Sequence, residues 1–254
     1  MKLSSRSLAV AESATLLLSA EAARMRAEGV DIVGLLEGEP DLPVPAPAIQ
    51  AVEAALRKGL TRYSAATGLS ELKAAIARKL EEENGLIVTP DNILIANGAK
   101  QALYEVMQTL CDPGDEILIP GPCWVTFPEA VKLAGGVPVL VETDATHQLD
   151  MAALEAAVTP RTKAIILNTP NNPTGAVYSE ASLRGVLALA GRHDLTIVSD
   201  EAYESLVYDD RRHVSIASLS AAAAARTITL QTFSKSFAMT GFRVGFLAGP
   251  SEFV

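Results

Sequence analysis

The sequence has 254 residues, 49% of them hydrophobic and 20% charged, with a formal net charge of −9. That length supports a sizeable core and one or two domains. The acidic balance argues against broad binding to a nucleic-acid backbone, which needs a basic face, but leaves room for a small anionic ligand held by backbone donors and one or two cations.

In chain order, Lys2 and Arg6 precede a mildly apolar stretch that Glu12 and several Ser and Thr interrupt. Its pattern continues as an amphipathic helix over Thr15–Glu28, so we read an arm helix and not an export signal. Glu39–Pro47 holds four prolines and reads as an extended linker. Residues 1–45 thus form an arm attached to an α/β body. Helical spacing predicts Pro47–Lys58 and Leu69–Asn84. Strands and helices then alternate: strand Ile93–Ala96, helix Lys100–Leu110, strand Glu116–Pro120, helix Phe127–Ala134, strand Val137–Glu142, helix Met151–Val158, strand Ala164–Asn168, helix Glu180–His193, and strands Thr196–Ser199, Thr227–Gln231 and Val244–Ala248. Asp112-Pro113-Gly114-Asp115 supplies a turn, Gly135-Gly136 a helix end and Asp150 an N-cap. Ala221–Ala225 reads as a helix end or connector. The alternation predicts an α/β domain with a mostly parallel seven-stranded sheet. The last strand runs into Ala248–Val254 and stops after a turn, so the chain reads as cut short. No run reaches the ~18 unbroken apolar residues of a membrane span. Cys111 and Cys123 form no CxxC pair and read as reduced, partly buried thiols. A soluble cytoplasmic protein that binds neither nucleic acid nor membrane and carries no metal is expected.

In an open α/β sheet, ligands sit beyond the carboxyl ends of the strands. Asn97-Gly98-Ala99-Lys100 opens a helix there. Gly98 lets backbone approach a ligand and the helix N-terminus suits a phosphate, although a plain tight turn has the same composition. Trp124, after the second strand, is either a platform for a flat ring or core filling. Thr169–Gly175 is an Asn- and Pro-rich loop in which Asn172 can donate to a ring oxygen, or simply a turn. Asp200 ends an apolar strand, where a carboxylate is costly unless paired. A protonated pyridine nitrogen would be such a partner, and an N-cap is the other reading. Lys235, flanked by Phe233 and Phe237 after a buried strand, can lose its proton more readily than an exposed lysine, which suits a Schiff base. Arg243 can serve the same pocket as an anion clamp.

Together and in this order, LLEGEPD (35–41), RYSAATGLSELK (62–73), NGAKQAL (97–103), PNNPTG (170–175), SDEAYE (199–204) and TFSKSFAMTGFRVG (232–245) resemble fold-type I pyridoxal-phosphate (PLP) enzymes, specifically class I/II aminotransferases of the aspartate aminotransferase kind. These stretches span nearly the whole chain. The resemblance implies an aspartate-aminotransferase-like large domain over 46–254, three-layer α/β/α, with residues 1–45 belonging to a small domain whose C-terminal part is absent. That absent part would supply the arginine that grips the substrate carboxylate. Without it, exposed apolar surface on the 15–28 helix and weak solubility are expected.

The resemblance also implies pyridoxal 5′-phosphate as cofactor and assigns roles. Lys235 forms the Schiff base and moves the substrate Cα proton. Asp200 pairs with the pyridinium nitrogen, and Asn172 and Tyr203 hydrogen-bond the ring's phenolic oxygen. Trp124 stacks on the ring. Gly98, Ala99, Lys100 and Arg243 take the phosphate, and Thr232 retains a hydroxyl that many relatives have as serine. Tyr63 reaches the phosphate of a partner subunit, which implies a homodimer. Gly38 touches the substrate carboxylate, and Trp124 and Asn172 also face the substrate. The implied reaction moves an amino group between an L-amino acid, aspartate-like or broad, and a 2-oxo acid. Other PLP reactions on the same scaffold, a C–S β-lyase or an α,γ-elimination, would leave the cofactor residues unchanged. A non-catalytic regulator domain would need a DNA-binding module that residues 1–45 are too short and too weakly basic to form.

Overall fold

Apolar residues at alternate strand positions sort to the two faces of a sheet. In the computed structural model, which describes residues 2–11, 14–35 and 38–254, this sorting produces two cores, one on each face. Seven strands form one sheet: β1 (Ile93–Ala96), β2 (Glu116–Gly121), β3 (Val137–Glu142), β4 (Thr162–Asn168), β5 (Thr196–Asp200), β6 (Thr227–Thr232) and β7 (Gly245–Ala248). Their order is β1-β7-β6-β5-β4-β2-β3. Strands β2 to β6 pair in parallel, while β7 runs antiparallel to both its neighbours, β1 and β6. The expected mostly parallel seven-stranded sheet is therefore present.

Ten α-helices are present among the described residues: α1 (Ser5–Ala9), α2 (Ala14–Ala27), α3 (Ala46–Arg57), α4 (Ser70–Asn84), α5 (Ala99–Leu110), α6 (Thr126–Leu133), α7 (Met151–Ala157), α8 (Glu180–His193), α9 (Ala221–Ala224) and α10 (Phe233–Ser236). On one face, Leu103, Val106 and Met107 of α5 and Phe127 and Val131 of α6 pack on Ala164 and Ile166 of β4. On the other, Leu154 of α7 and Leu183, Val186 and Leu189 of α8 pack on Ile165 and Leu167. Each fully buried side chain of this size contributes roughly 1.5–3 kcal/mol. A third cluster sets Ile76 and Leu80 of α4 against Ile93 and Phe246. Local sequence sets the helix ends. Gly85 closes α4 at φ 67, and Asp150, as expected, caps the start of α7, its carboxylate accepting the backbone N–H groups of Ala152 and Ala153.

The sequence expectations differ from this fold at several element ends and in two short helices. Strands β5 and β6 run on to include Asp200 and Thr232, because a polar residue at a strand end keeps its backbone in the ladder whatever its side chain prefers. The short helices α1 and α10 were not anticipated, since a single turn carries too few residues for a periodic signal. Ser4 nevertheless caps α1, and the arm is tied to the body where the Ala11 N–H donates to Glu129 Oε2 at 3.0 Å.

The expected exposed apolar surface on α2 is there, at Leu17 and Leu18, and α3 buries no residue at all. No helix of the described residues is long and apolar enough to cross a membrane. Both cysteines are free and half-buried. Burial, with Asp115 nearby, pushes the Cys111 thiol up to about 11, and burial also raises Cys123, so both stay protonated.

Candidate active site

The carboxyl ends of β4, β5 and β6 carry Asn168, Asp200 and Thr232, all buried. The antiparallel β7 begins where its neighbours end, pairing Gly245 with Ala96 and with Thr232. Arg243, two residues before β7, is thereby delivered to the same edge of the sheet. A cavity of about 640 Å³ opens there. Trp124, Asn172, Asp200, Tyr203, Lys235 and Arg243 all line it, as do Gly38, Ala99, Lys100 and Thr232. The structure thus brings together residues from six separate stretches of the sequence.

The Asp200 carboxylate is buried and accepts one hydrogen bond, from the Ala202 N–H at 3.1 Å. No cation pairs with it among the described residues. Burial, aided by the charge of Glu201, pushes its pKa up to about 7. Next to it, Asn172 Nδ2 donates to the Tyr203 hydroxyl at 3.3 Å. Burial raises the Tyr203 phenol, and the Asp200 charge adds to this, so the hydroxyl keeps its proton. Asn168 ties the two sides together. Its Nδ2 donates to the Asp200 carbonyl at 3.1 Å, and its Oδ1 accepts the Asn172 N–H at 2.7 Å.

Lys235 sits on α10, whose N-cap Thr232 accepts the Ser234 N–H. Its ammonium donates to the Gly38 carbonyl at 2.6 Å and lies 5.8 Å from the Tyr203 ring centroid. Burial lowers its pKa, and Arg243 lowers it further against the opposing charge of Glu39. The lysine is therefore closer to its neutral, nucleophilic form than a surface lysine.

Gly98 heads α5 at φ 82, and a Cβ there would stand 2.7 Å from Arg243 Nη2. Arg243 itself has φ 54, uncommon for a residue with a side chain. It is held by its Nη1 bond to the Thr240 carbonyl at 2.7 Å. A guanidinium beside free N–H groups of a helix N-terminus makes an anion site. Lys100, in the first turn of α5, lines the same cavity, with its ammonium 5.0 Å from the Trp124 ring centroid. Burial, then Arg243, lowers its pKa. Trp124 itself makes an edge contact with Phe127.

Tyr63 is not brought into the cavity and its side chain is fully exposed. Within the 35–41 stretch, Leu36 and Glu37 lie outside the described residues, as does Glu12 of the arm. Sequence reasoning missed Glu39, Cys123, Asn168, Ser234 and Thr240, which also line the cavity. Asn168 had a signal, as a polar residue closing an apolar strand. Glu39 and Thr240, which hydrogen-bond each other across 201 positions, had none.

These residues have the chemistry to hold pyridoxal phosphate. An unpaired buried carboxylate suits a ring nitrogen that carries a proton. A Gly98 turn at φ 82 heading a helix, with the Arg243 guanidinium beside it, suits a phosphate, and a half-buried amine suits a carbonyl carbon. They fit. The chain matches the family model described as aminotransferase class I and II over residues 30–254. The chain belongs to this family. It is 43% identical to an aspartate aminotransferase of Geobacillus stearothermophilus, over 100% of this chain and 65% of that protein. It is 44% identical to the aspartate/prephenate aminotransferase of Thermus thermophilus, over 99% and 65%. Among solved structures, the Thermus thermophilus aspartate aminotransferase with maleate superimposes with a TM-score of 0.96 at 44% identity, covering 100% of this chain and 66% of that one. The chain thus spans about 65% of the length of the curated relatives it matches. Members of this aminotransferase family use pyridoxal phosphate, in keeping with the fit.

Proposed function

We propose that this chain carries the cofactor-binding machinery of a pyridoxal-phosphate aminotransferase that moves an amino group between an L-amino acid and a 2-oxo acid. The observation that carries the reading is that Lys235, on α10 after β6, and Asp200, at the end of β5, line one cavity. When bound, pyridoxal phosphate supplies an electron sink that makes loss of a Cα proton from an amino acid feasible. Lys235 would hold the cofactor through its amine, and its Nζ, once free, would take the proton from substrate Cα and pass it to the cofactor carbon that the amine had held. Asp200 would keep a positive charge on the ring nitrogen. Asn172 and Tyr203 would hydrogen-bond the ring's oxygen, and Trp124 would cover its face. The α5 N-terminus with Arg243 and the Thr232 and Ser234 hydroxyls holds the phosphate.

Lys100 is the cavity cation left over. It pairs with no carboxylate among the described residues and suits the side-chain carboxylate of an aspartate-like substrate, in line with the names of the relatives. A homodimer is part of the proposal. Its support is that Tyr63 is exposed, as are Leu56, Leu60 and Leu69 in the same stretch of sequence, apolar side chains that a second copy can cover.

Borohydride reduction with pyridoxal phosphate, followed by digestion and mass spectrometry, tests the reading. The phosphopyridoxyl mass is expected on the peptide containing Lys235 and is expected to vanish in Lys235→Ala. An adduct on Lys100 instead, or on no lysine, would sink it.

A further inference from the structure

The turn after β5 has two sides. Asp200 and Tyr203 face the cavity, while Glu201 and Glu204, one residue on from each, face the opposite way. Glu201 is buried and accepts the Ser199 and Ser215 hydroxyls at 2.9 Å each, with His213 Nε2 at 3.1 Å. Glu204 accepts from Asn84 Nδ2 at 2.6 Å and Gln231 Nε2 at 2.7 Å, and pairs with the Lys79 ammonium. Glu201 and Glu204 approach the His213 ring closely enough to suggest a metal site, but Lys79 already supplies the cation there. The polar face of β6, Thr227, Thr229 and Gln231, lies buried along the same side, opposite Ile228 and Leu230. Two carboxylates have thus been taken out of water directly behind the residues that face the ligand. Burying charge is costly, and a single hydroxyl would cap this turn more cheaply.

We propose that Glu201 is a positioning residue: from the buried side of the turn it holds Asp200 and Tyr203 aimed into the cavity, and its fixed negative charge strengthens the grip of Asp200 on a cationic ring nitrogen. This rests on the function proposed above. Burial alone would raise the Glu201 carboxyl, but the His213 hydrogen bond and charge, with the two serine hydroxyls, outweigh it and keep Glu201 ionised. His213 is held protonated to higher pH by the same pairing, against its own burial. The charged groups facing Glu201 are Asp200 and Glu204 on its own turn, His213 from the following loop and Lys79 from α4.

The test uses pyridoxal-phosphate binding, read through quenching of Trp124, the only tryptophan, and through the pH midpoint of the bound cofactor's visible absorbance. Glu201→Gln keeps shape and removes charge. It is expected to fold, to weaken binding about tenfold and to lower the midpoint by about half a pH unit, because a negative charge near the bound cation is gone. Glu201→Asp keeps the charge but withdraws it by one methylene, and is expected to weaken binding with a midpoint near that of the native chain. Native affinity and midpoint in Glu201→Gln, with only a loss of stability, overturn the inference and leave Glu201 a structural residue. If Glu201→Gln does not fold, Glu201→Asp decides: native affinity overturns, weakened affinity supports. A native chain that takes up no pyridoxal phosphate overturns the proposed function and this inference with it, whereas native uptake matched by Glu201→Gln overturns this inference alone.

Discussion

Asp200→Asn is expected to make the cofactor-free chain more stable at pH 8 while removing most of its capacity for chemistry. Folding raises the Asp200 carboxyl from its ordinary 3.8 to about 7, chiefly by burial. A group raised on folding contributes stability that is fully present below its unfolded pKa and is lost as pH rises through the folded one. For Asp200 that loss runs from about pH 4 to about pH 7 and amounts to roughly 2–4 kcal/mol. Asparagine keeps the shape and the bond from the Ala202 N–H but never ionises. Urea unfolding of the cofactor-free proteins should therefore give similar midpoints at pH 4 and a higher one for Asp200→Asn at pH 8. With cofactor present the order of merit reverses. A neutral amide cannot hold a proton on the ring nitrogen, and losing a buried charge-assisted bond of this kind costs at least about a hundredfold in rate. Equal amino-transfer rates in the two proteins, or a native chain whose stability is flat between pH 4 and pH 8, would remove the basis for Asp200 as the ring-nitrogen partner.

Gly245→Ala should cripple cofactor binding from a position that touches no ligand. A Cβ at residue 245 would lie 2.7 Å from both the Ala99 nitrogen and the Gly98 carbonyl carbon, and 2.9 Å from the Gln231 oxygen. All three are backbone atoms of strands and helix ends, so none can swing aside as a side-chain tip would. Overpacking of this sort costs about 1–3 kcal/mol and is relieved by moving backbone. The segment that must move is the head of α5, whose N–H groups we propose take the phosphate. Gly241→Ala is the matched control, because a Cβ there meets nothing within 4 Å. Gly245→Ala is expected to lower the urea midpoint and weaken pyridoxal-phosphate binding at least about tenfold, with Gly241→Ala near native. Native affinity in Gly245→Ala would show that α5 is not held in place by β7.

Much of the site was legible because strand ends are local features. Asp200, Asn172, Thr232 and Trp124 each follow or close a short apolar run, and the cavity of an α/β sheet lies beyond those ends. Lys235 was legible from its place between two phenylalanines after a buried strand, although the α10 turn that carries it was not. Glu201 and Glu204 were not legible as a rear anchor. Their neighbours in the motif carry the signal, and a carboxylate in a turn ordinarily reads as solvated. The one hint was β6, whose Thr-Ile-Thr-Leu-Gln-Thr alternates polar and apolar in a strand that proved buried on both faces. Polar residues on a covered face announce a buried network.

The amino-acid sequence by itself determined the alternation of strands and helices, the layer architecture that follows from it, and the identity of the groups offered to a ligand. These depend on periodicity and on residue chemistry within a few positions. Only the tertiary structure decided the direction of β7, and with it the arrival of Arg243 beside Gly98, 145 positions earlier in the numbering, and the crowding that makes Gly245 obligatory. It also decided that Tyr63 faces outward and that Glu201 meets His213. Those outcomes depend on which strands pair and in which register, and pairing is set by the packing of distant segments rather than by any one of them.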